Sequence, residues 1–312
     1  MIHTVKKEIY KTFGLTLLSE IPLPELPQVS NYENEVDVRI ETADLSKLWS
    51  ELSSKKSAFV VEKESIMFQI PETATFCIRN GEKIIVSPME GSDQDKIRLY
   101  ILGTCMGALL MQRKILPLHG SVIAINGKAY AFVGRSGAGK STLASALLRK
   151  GYQLLSDDVI AVSLSEDNTP FVTPSYPQQK LWKESLDQFG METTHYQPLF
   201  ERETKYAVPV SSKFLNESLP LAGIFELVKV ENEDVEIHQI EGLERLRTLL
   251  RHTYRNSLIP RLGMMDWHFM QSTSIVNKVD MFQLRRPISK FTVHDLVSTI
   301  LDSLKEEEKN DE

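Results

Sequence analysis

The fold is decided by the stretch Gly134-Arg135-Ser136-Gly137-Ala138-Gly139-Lys140-Ser141-Thr142. It satisfies in full the pattern G-x-x-x-x-G-K-[ST] of a phosphate-binding loop. An apolar strand is predicted before it, over 130–133, and a helix after it, over 140–149. Glycine lets the backbone curl so that successive N–H groups and the helix N-terminus can surround anionic oxygens. The sequence therefore predicts an α/β protein that binds a nucleoside triphosphate, with ATP as the expected nucleotide; the alternative is a glycine-rich turn that binds nothing.

Two side chains of this loop have specific roles in such a site. Lys140 would reach the β- and γ-phosphates as a mobile positive charge, and the Ser141 hydroxyl would be a ligand of Mg²⁺. The backbone would hold the remaining phosphate oxygens. The predicted nucleotide contacts are therefore Gly134, Arg135, Ser136, Gly137, Ala138, Gly139, Lys140, Ser141 and Thr142.

A pair of acids, Asp157 and Asp158, lies inside the apolar strand pattern of 154–160. Burying a carboxylate costs several kcal/mol unless a cation or a donor offsets it, and Mg²⁺ beside the loop would do so. One aspartate would hold the metal, and the other would accept the proton of an attacking hydroxyl. The residues alone leave open which aspartate does which. The alternative is a turn or a helix cap with exposed acids.

Composition limits the class of protein. The chain has 312 residues, with 36 Lys and Arg against 42 Asp and Glu, so its formal net charge is −6. This balance argues against a nucleic-acid coat or a polybasic membrane binder. The longest charge-free apolar run, between Arg98 and Arg113, is shorter than the roughly 20 residues that a bilayer needs. Cys77 and Cys105 show no metal spacing, and no signal peptide is evident, so a reduced cytoplasmic protein is expected.

The chain divides into three predicted parts. Residues 1–112 form a β-rich N-terminal module of short strands, which ends in a connecting helix over 92–113 and which could recognise a peptide by strand addition. Residues 113–304 form the core that carries the glycine-rich loop. Residues 305–312 form an acidic tail that is predicted to be disordered.

Three arginines form a candidate clamp for phosphate or for a peptide carboxylate. Arg251 and Arg255 would share one face of a helix predicted over 242–256, and Arg261 would lie on a loop like an arginine finger. The alternative is a solvated helix face. His119 has two comparable interpretations, a hydrogen-bonded structural histidine or a catalytic one.

The second half resembles a known family. The hairpin from Ser121 to Val133, the preceding His119-Gly120, and Ser156-Asp157-Asp158 on the next strand are similar to the catalytic domain of HPr kinase/phosphorylase, which phosphorylates a protein serine with ATP. The resemblance implies an HPr kinase-like P-loop core with a smaller, mostly-β N-terminal domain. It also implies that Asp158 is the general base, Asp157 its partner on the metal side, and His119 a residue near the phosphates. The Arg/Gly-rich segment that accompanies phosphorylase activity has no clear counterpart in 166–215, so phosphorolysis is not implied.

The two ends of the chain resemble a narrower group. The segments 10–15, 19–26 and 282–287 look like HPr-kinase-like enzymes encoded with lasso peptides, which phosphorylate the C-terminal serine of a precursor peptide. The expectation is an ATP- and Mg²⁺-dependent serine kinase that acts on such a precursor. Nucleic-acid and membrane partners are not expected, and a homo-oligomer stays open. The alternatives are a small-molecule kinase on the same core and a non-catalytic nucleotide-binding regulator.

Overall fold

The computed structural model describes residues 6–30, 35–53, 58–62, 64–199, 202–231 and 234–310. The strands are β1 (Glu8–Thr12), β2 (Leu15–Ser19), β3 (Val38–Thr42), β4 (Phe59–Glu62), β5 (Ser65–Ile70), β6 (Ala74–Arg79), β7 (Lys83–Pro88), β8 (Leu116–Ile125), β9 (Lys128–Gly134), β10 (Gln153–Leu164), β11 (Pro170–Thr173), β12 (Gln178–Trp182), β13 (Gln197–Leu199), β14 (Arg202–Pro209), β15 (Leu219–Val230), β16 (Glu236–Gln239) and β17 (Asp280–Pro287). The α-helices are α1 (Ser46–Leu52), α2 (Gln94–Tyr100), α3 (Met106–Gln112), α4 (Lys140–Arg149), α5 (Lys183–Gln188), α6 (Leu243–His252), α7 (Leu258–Arg261), α8 (Met265–Val276) and α9 (Val293–Asn310). The prediction of a mixed α/β chain is confirmed. Within these ranges, no helix is both long and apolar enough to cross a membrane.

The central sheet has the strand order β11-β10-β8-β9-β15-β17-β16. β15 runs parallel to both β9 and β17, and the other pairs are antiparallel. Side chains alternate along β9, so Phe132 packs with α4 and α9 while Val133 packs with α6 and α8. Helices therefore cover both faces of the sheet, and the C-terminal end of β9 opens into the glycine-rich loop.

The N-terminal sheet has the order β1-β2-β3-β7-β6-β5-β4. The loop of residues 80–82 joins β6 to β7, and its Asn80 and Gly81 have positive φ, 55° and 67°, which Asn and Gly tolerate. Asn126-Gly127 forms a two-residue turn between β8 and β9, with φ of 50° and 74°. Positive φ at both residues is what a two-residue hairpin turn of this kind requires.

The connecting segment differs from the single predicted helix. Asp93 caps α2, and a π-helical turn over Ile101–Cys105 separates α2 from α3. Glycine allows close packing here, because a Cβ at Gly107 would lie 2.5 Å from Cδ1 of Tyr254. The ring from the second half of the chain therefore presses on the helix next to the turn, and π-helical turns are frequent at functional sites.

The two halves share one hydrophobic cluster. Leu17 and Phe76 of the first half belong to it together with Val159 and Ile259 of the second. The Phe13 N–H also donates to the Pro174 oxygen over 3.0 Å. The boundary at residue 112 stays a prediction, and the packing across it is continuous.

The C-terminus also differs from the prediction. A disordered tail is predicted from residue 305, whereas α9 continues to Asn310. Lys and Glu are strong helix formers, so a segment rich in them can continue a helix. Residues 311–312 lie outside the described ranges.

Candidate active site

The glycine-rich loop joins β9 to α4 and lines a cavity of about 550 Å³. Glycine is required at its first position: Gly134 has φ of 150°, and a Cβ there would lie 2.7 Å from the Leu227 backbone oxygen. Gly139, with φ of 108°, leads directly into the helix. All of the predicted loop contacts line the cavity except Ala138, which is buried beneath the loop.

Lys140 is the first residue of α4, and its side chain folds back onto the glycine-rich loop. Its Nζ donates to the backbone oxygens of Gly134, over 2.9 Å, and Arg135, over 3.2 Å. Burial lowers the pKa of Lys140 to about 8, against the opposing influence of Asp157 and Asp158. The ammonium group is therefore poorly solvated, and an anion in the cavity would be a favourable partner for it.

Asp157 is a buried acceptor at the centre of the site. Its Oδ1 accepts hydrogen bonds from Ser121 Oγ and, over 3.0 Å, from Ser141 Oγ, and its Oδ2 accepts one from the Lys180 backbone N–H over 2.8 Å. An exposed turn is thereby excluded for this residue, which lies on β10. Ser141 and Asp157 bring together two oxygen ligands of the kind that Mg²⁺ prefers. Among the described residues, no cluster of three or more His, Cys, Asp or Glu side chains could hold a metal ion.

Asp158 faces the same cavity from an unusual backbone conformation. Its φ is 78°, which is uncommon for a residue other than glycine and is found at functional sites more often than elsewhere. Its Oδ2 accepts a hydrogen bond from Lys180 Nζ over 2.6 Å, and its Oδ1 lies 3.5 Å from His119 Nδ1. Burial favours the neutral acid, but neighbouring positive charge, that of Lys180 above all, holds the pKa of Asp158 below its ordinary range.

The His119 ring forms a hydrogen bond with the backbone of Asp158. Burial lowers the pKa of His119 below its ordinary value of 6.5, so the ring is neutral at pH 7. The assignment that fits the geometry has the Nδ1–H donating to the Asp158 backbone oxygen over 3.0 Å. His119 also contacts the Tyr254 ring edge-on, at 5.7 Å between centroids. His119 therefore lies beside Asp158 and lines the same cavity as the glycine-rich loop, while its position near the phosphates stays a prediction.

Lys180 is the main residue that the sequence motifs do not reveal. It lies on β12 of a small sheet with the order β12-β14-β13, and it contacts both aspartates, one through its backbone and one through its ammonium group. Burial disfavours its charge, yet Asp158 raises its pKa above the ordinary value. Lys180 follows Gln178-Gln179 and shortly precedes Lys183, so its local sequence is polar and gives no signal that this lysine is buried. Lys205 and Trp182 of the same sheet also line the cavity.

The three predicted clamp arginines separate in the structure. Arg251 and Arg255 line the cavity, but Arg261 does not, and it donates instead to the Phe59 backbone oxygen over 2.8 Å. The helix predicted over 242–256 ends at His252, because the Tyr254 N–H donates to the Pro117 oxygen over 2.7 Å and the chain turns there. Arg255, with φ of 53°, therefore lies beyond the helix that carries Arg251.

Both predicted clamp arginines that line the cavity, Arg251 and Arg255, have partners that fix them. Arg251 donates to the buried Glu226, over 3.1 Å, and to Glu244, over 2.9 Å. Arg255 donates to Thr104 Oγ1 over 2.8 Å. These contacts hold guanidinium groups at the cavity wall from two directions.

The connecting helix supplies the remaining wall. Leu99, Tyr100, Gly103 and Thr104 line the cavity next to Tyr254. A Cβ at Gly103 would lie 3.2 Å from the Tyr254 hydroxyl and 3.9 Å from Asp158 Oδ2. The site is therefore formed between the two halves of the chain, with space beside Asp158 that glycine keeps open.

No protein-family model matches the chain. Curated relatives that are similar to it are HPr kinase/phosphorylases. That of Lactobacillus gasseri is 30% identical over 108 residues, which cover 32% of this chain and 34% of the relative. That of Mycoplasmopsis pulmonis is 39% identical over 70 residues, 22% of this chain and 23% of the relative. That of Paraburkholderia phytofirmans is 24% identical over 247 residues, 76% of this chain and 71% of the relative.

The matched part spans about a third of the length of the two Lactobacillus relatives, 34% in each case. Among solved structures, the Hpr(Ser) kinase/phosphatase from Coxiella burnetii aligns with 62% of this chain and 94% of its own, at 14% identity and a TM-score of 0.36. The chain is thus HPr kinase/phosphorylase-like in sequence. None of these names refers to lasso peptides, so that expectation stays a prediction.

Proposed function

We propose that this protein is a kinase that transfers the γ-phosphoryl group of ATP to a serine hydroxyl of a peptide. The observation that carries the proposal is Asp158, an ionised carboxylate in the wall of the cavity that the glycine-rich loop lines. A nucleotide sensor needs no such base, whereas transfer to an alcohol does. The similarity to HPr kinase/phosphorylases supports the same reaction class.

The residues divide the work between binding and chemistry. The loop backbone and Lys140 would bind the triphosphate, while Ser141 and Asp157 would hold Mg²⁺, which when bound neutralises charge on the phosphate oxygens. Asp158 would orient the acceptor hydroxyl and take its proton. The bond from the γ-phosphorus to the serine oxygen forms as the bond to the bridging oxygen of ADP breaks, and ADP leaves with that electron pair.

The finer proposal is that the acceptor is the C-terminal serine of a lasso-peptide precursor. Arg251 and Arg255 line the cavity that also holds Asp158, and a guanidinium group binds a carboxylate through paired N–H donors. A terminal carboxylate lies only a few bonds from the hydroxyl of its own serine, so one cavity can accommodate both groups. Arg261 has no part in this proposal.

The test is incubation of the protein with Mg-ATP and a precursor-type peptide that ends in serine, followed by mass spectrometry. Transfer adds one phosphoryl group, about 80 Da. Lys140→Ala should abolish transfer, and Asp158→Asn should abolish it while nucleotide binding persists. The matched substrate control is the same peptide with an amidated C-terminus, which should react far more slowly if arginines bind the carboxylate.

Three outcomes would contradict the proposal in different ways. Phosphorylation of small alcohols but of no peptide would make the protein a small-molecule kinase. Tight ATP binding without transfer to any acceptor would make it a regulator. Equal reaction of the free and the amidated peptide would retain the kinase and exclude the carboxylate clamp.

A further inference from the structure

Strand β17 places an arginine against the outside of the glycine-rich loop. Arg286 Nε donates to the Ala138 backbone oxygen over 2.8 Å, and its Nη1 donates a longer hydrogen bond, of 3.3 Å, to the Pro287 oxygen. The guanidinium group also covers Gly139, since a Cβ at that position would lie 3.5 Å from Nε and 3.6 Å from Nη2. Arg286 is not among the residues that line the cavity, so it contacts the loop from behind.

This contact determines which way one peptide group of the loop faces. The peptide bond between Ala138 and Gly139 is planar and trans, so its C=O and its N–H point in opposite directions. Because Arg286 binds the oxygen, the Gly139 N–H points away from the arginine, and Gly139, unlike Ala138, lines the cavity. Within the described ranges this N–H has no backbone acceptor. It is therefore available to a phosphate oxygen.

The peptide group needs an external contact to keep this orientation. Gly139 has φ of 108°, and glycine adopts positive and negative φ with similar ease, so the peptide could turn over at little cost if its oxygen were unbound. A turned peptide would present its carbonyl oxygen to the phosphates. That oxygen is the negative end of the peptide dipole, so it would repel an anion that the N–H attracts.

The charge of Arg286 strengthens the same effect. Arg286 has no ion-pair partner in the parts of the chain that the structure describes, and its guanidinium group stays protonated. A charged donor at the carbonyl oxygen polarises the peptide group, which makes the N–H at its other side a better donor. An anion bound by that N–H would also lie close to a positive charge that no carboxylate neutralises.

We propose that Arg286 is a positioning residue of the nucleotide site, which directs the Gly139 N–H towards the phosphates by binding the oxygen of the same peptide group. The proposal rests on the nucleotide-binding part of the proposed function and does not depend on the acceptor. It also assigns a role to the segment 282–287, whose arginines the proposed function does not use.

The binding test uses two neutral variants, Arg286→Met and Arg286→Gln, and the charged variant Arg286→Lys. The matched control is Arg285→Met, because Arg285 precedes Arg286 on β17 and its Nε donates to Gln283 Oε1 over 2.8 Å rather than to the loop. Titration calorimetry would measure the affinity for Mg-ATP and for inorganic Mg-tripolyphosphate. Both ligands should bind about 10-fold more weakly to the neutral variants and within about 3-fold of wild type to Arg286→Lys, which keeps a charged donor.

Arg285→Met should bind both ligands as wild type does. Circular dichroism would verify that each variant is folded, and the second neutral variant keeps the test valid if the first does not fold. In turnover, the neutral variants should raise the KM for ATP about 10-fold and change kcat by less than about 3-fold, because a backbone N–H holds the phosphates in bound ATP and in the transition state alike.

A spectroscopic test follows the peptide group itself. The chain contains two Ala-Gly pairs, Ala138-Gly139 and Ala222-Gly223, so carbonyl-¹³C alanine combined with ¹⁵N glycine gives two peptide resonances in a carbonyl-filtered NMR spectrum. Ala222→Ser removes one of them and thereby assigns the other. Mg-ADP should shift the Gly139 N–H resonance of wild type. In the neutral Arg286 variants the Ala138 carbonyl resonance should differ from that of wild type before nucleotide is added, and the Gly139 response should be smaller.

Several results would overturn the inference. Weaker binding of Mg-ATP with unchanged binding of Mg-tripolyphosphate would mean that Arg286 contacts the nucleoside instead of positioning the loop. Unchanged affinities, or an unchanged Ala138 carbonyl resonance in a folded neutral variant, would also contradict it. The proposed function fails separately, since wild-type protein that binds both ligands but phosphorylates no peptide would refute the peptide kinase and leave the role of Arg286 testable by binding. Wild-type protein that binds neither ligand would refute both.

Discussion

Replacement of Lys180 by methionine should destabilise the protein strongly. The Lys180 side chain is only 6% exposed, and its ammonium group lies 2.6 Å from the Asp158 carboxylate, which is 18% exposed. Lys180→Met retains the backbone N–H that binds Asp157 but removes the cation beside Asp158. His119 Nδ1 lies 3.5 Å from the same carboxylate, but burial lowers the pKa of this ring below its ordinary value of 6.5, so it would not replace the lost charge at pH 7.

A buried carboxylate that loses its partner typically costs about 3–5 kcal/mol. Because domains are stable by only about 5–15 kcal/mol, this loss should be unmistakable in urea unfolding followed by circular dichroism at pH 7. Asp158→Asn in the Lys180→Met background removes the uncompensated charge, and asparagine tolerates the positive φ at this position. The double variant should therefore recover about 1–3 kcal/mol relative to additivity.

The exposed Lys183→Met is the control, with an expected change within about 0.5 kcal/mol. A loss below about 1 kcal/mol in Lys180→Met, or strict additivity in the double variant, would refute the view that this ion pair holds the base in place.

Two further predictions concern parts of the site wall. Glu226 is buried, which favours its neutral form, but hydrogen bonds led by that from His252 lower its pKa to about 2 from 4.5. A carboxylate with a depressed folded pKa adds stability above its unfolded pKa and loses it as the pH falls through the folded value. The free energy of unfolding should therefore drop by about 3 kcal/mol from this group between pH 4.5 and pH 2, and Glu226→Gln should flatten that part of the urea-unfolding profile. Gly107→Ala would place a Cβ 2.5 Å from the Tyr254 ring, so calorimetry should show a lower Tm, from a cost of about 1–3 kcal/mol; an unchanged Tm would contradict this packing.

The features that the sequence predicts correctly are those that depend on residues close together in the chain. The loop glycines, the helix over 140–149 and the two Asn-Gly hairpins depend on residues that are adjacent in the chain, and each is present where the pattern predicts it. His119 lies next to Asp158 for a different reason: the two residues are 39 positions apart in the chain, and the direct pairing of β8 with β10 brings them together.

What could not be predicted depends on contacts between distant residues. Lys180 becomes a residue of the site only because β12 lies next to Asp158 in the fold. No sequence motif relates the positions of these two residues, so their contact could not be predicted. The connecting helix contains a π-helical turn beside a ring that comes from Tyr254. The helix that carries Arg251 ends at His252, because the backbone that follows pairs with β8. The prediction from helical periodicity that Arg255 shares a helix face with Arg251 is therefore wrong.

The connecting helix forms part of the cavity wall, and this has a consequence for how the acceptor specificity of such a protein could evolve. The loop, Lys140 and both aspartates all lie on the second half, whereas Gly103 and Thr104 of the first half border the space beside Asp158. A recombination that exchanged the first half would therefore keep the machinery for the nucleotide and alter the shape offered to the acceptor. New acceptors could arise in this way without any change in the residues that handle ATP, provided that the exchanged half still covered the shared hydrophobic cluster.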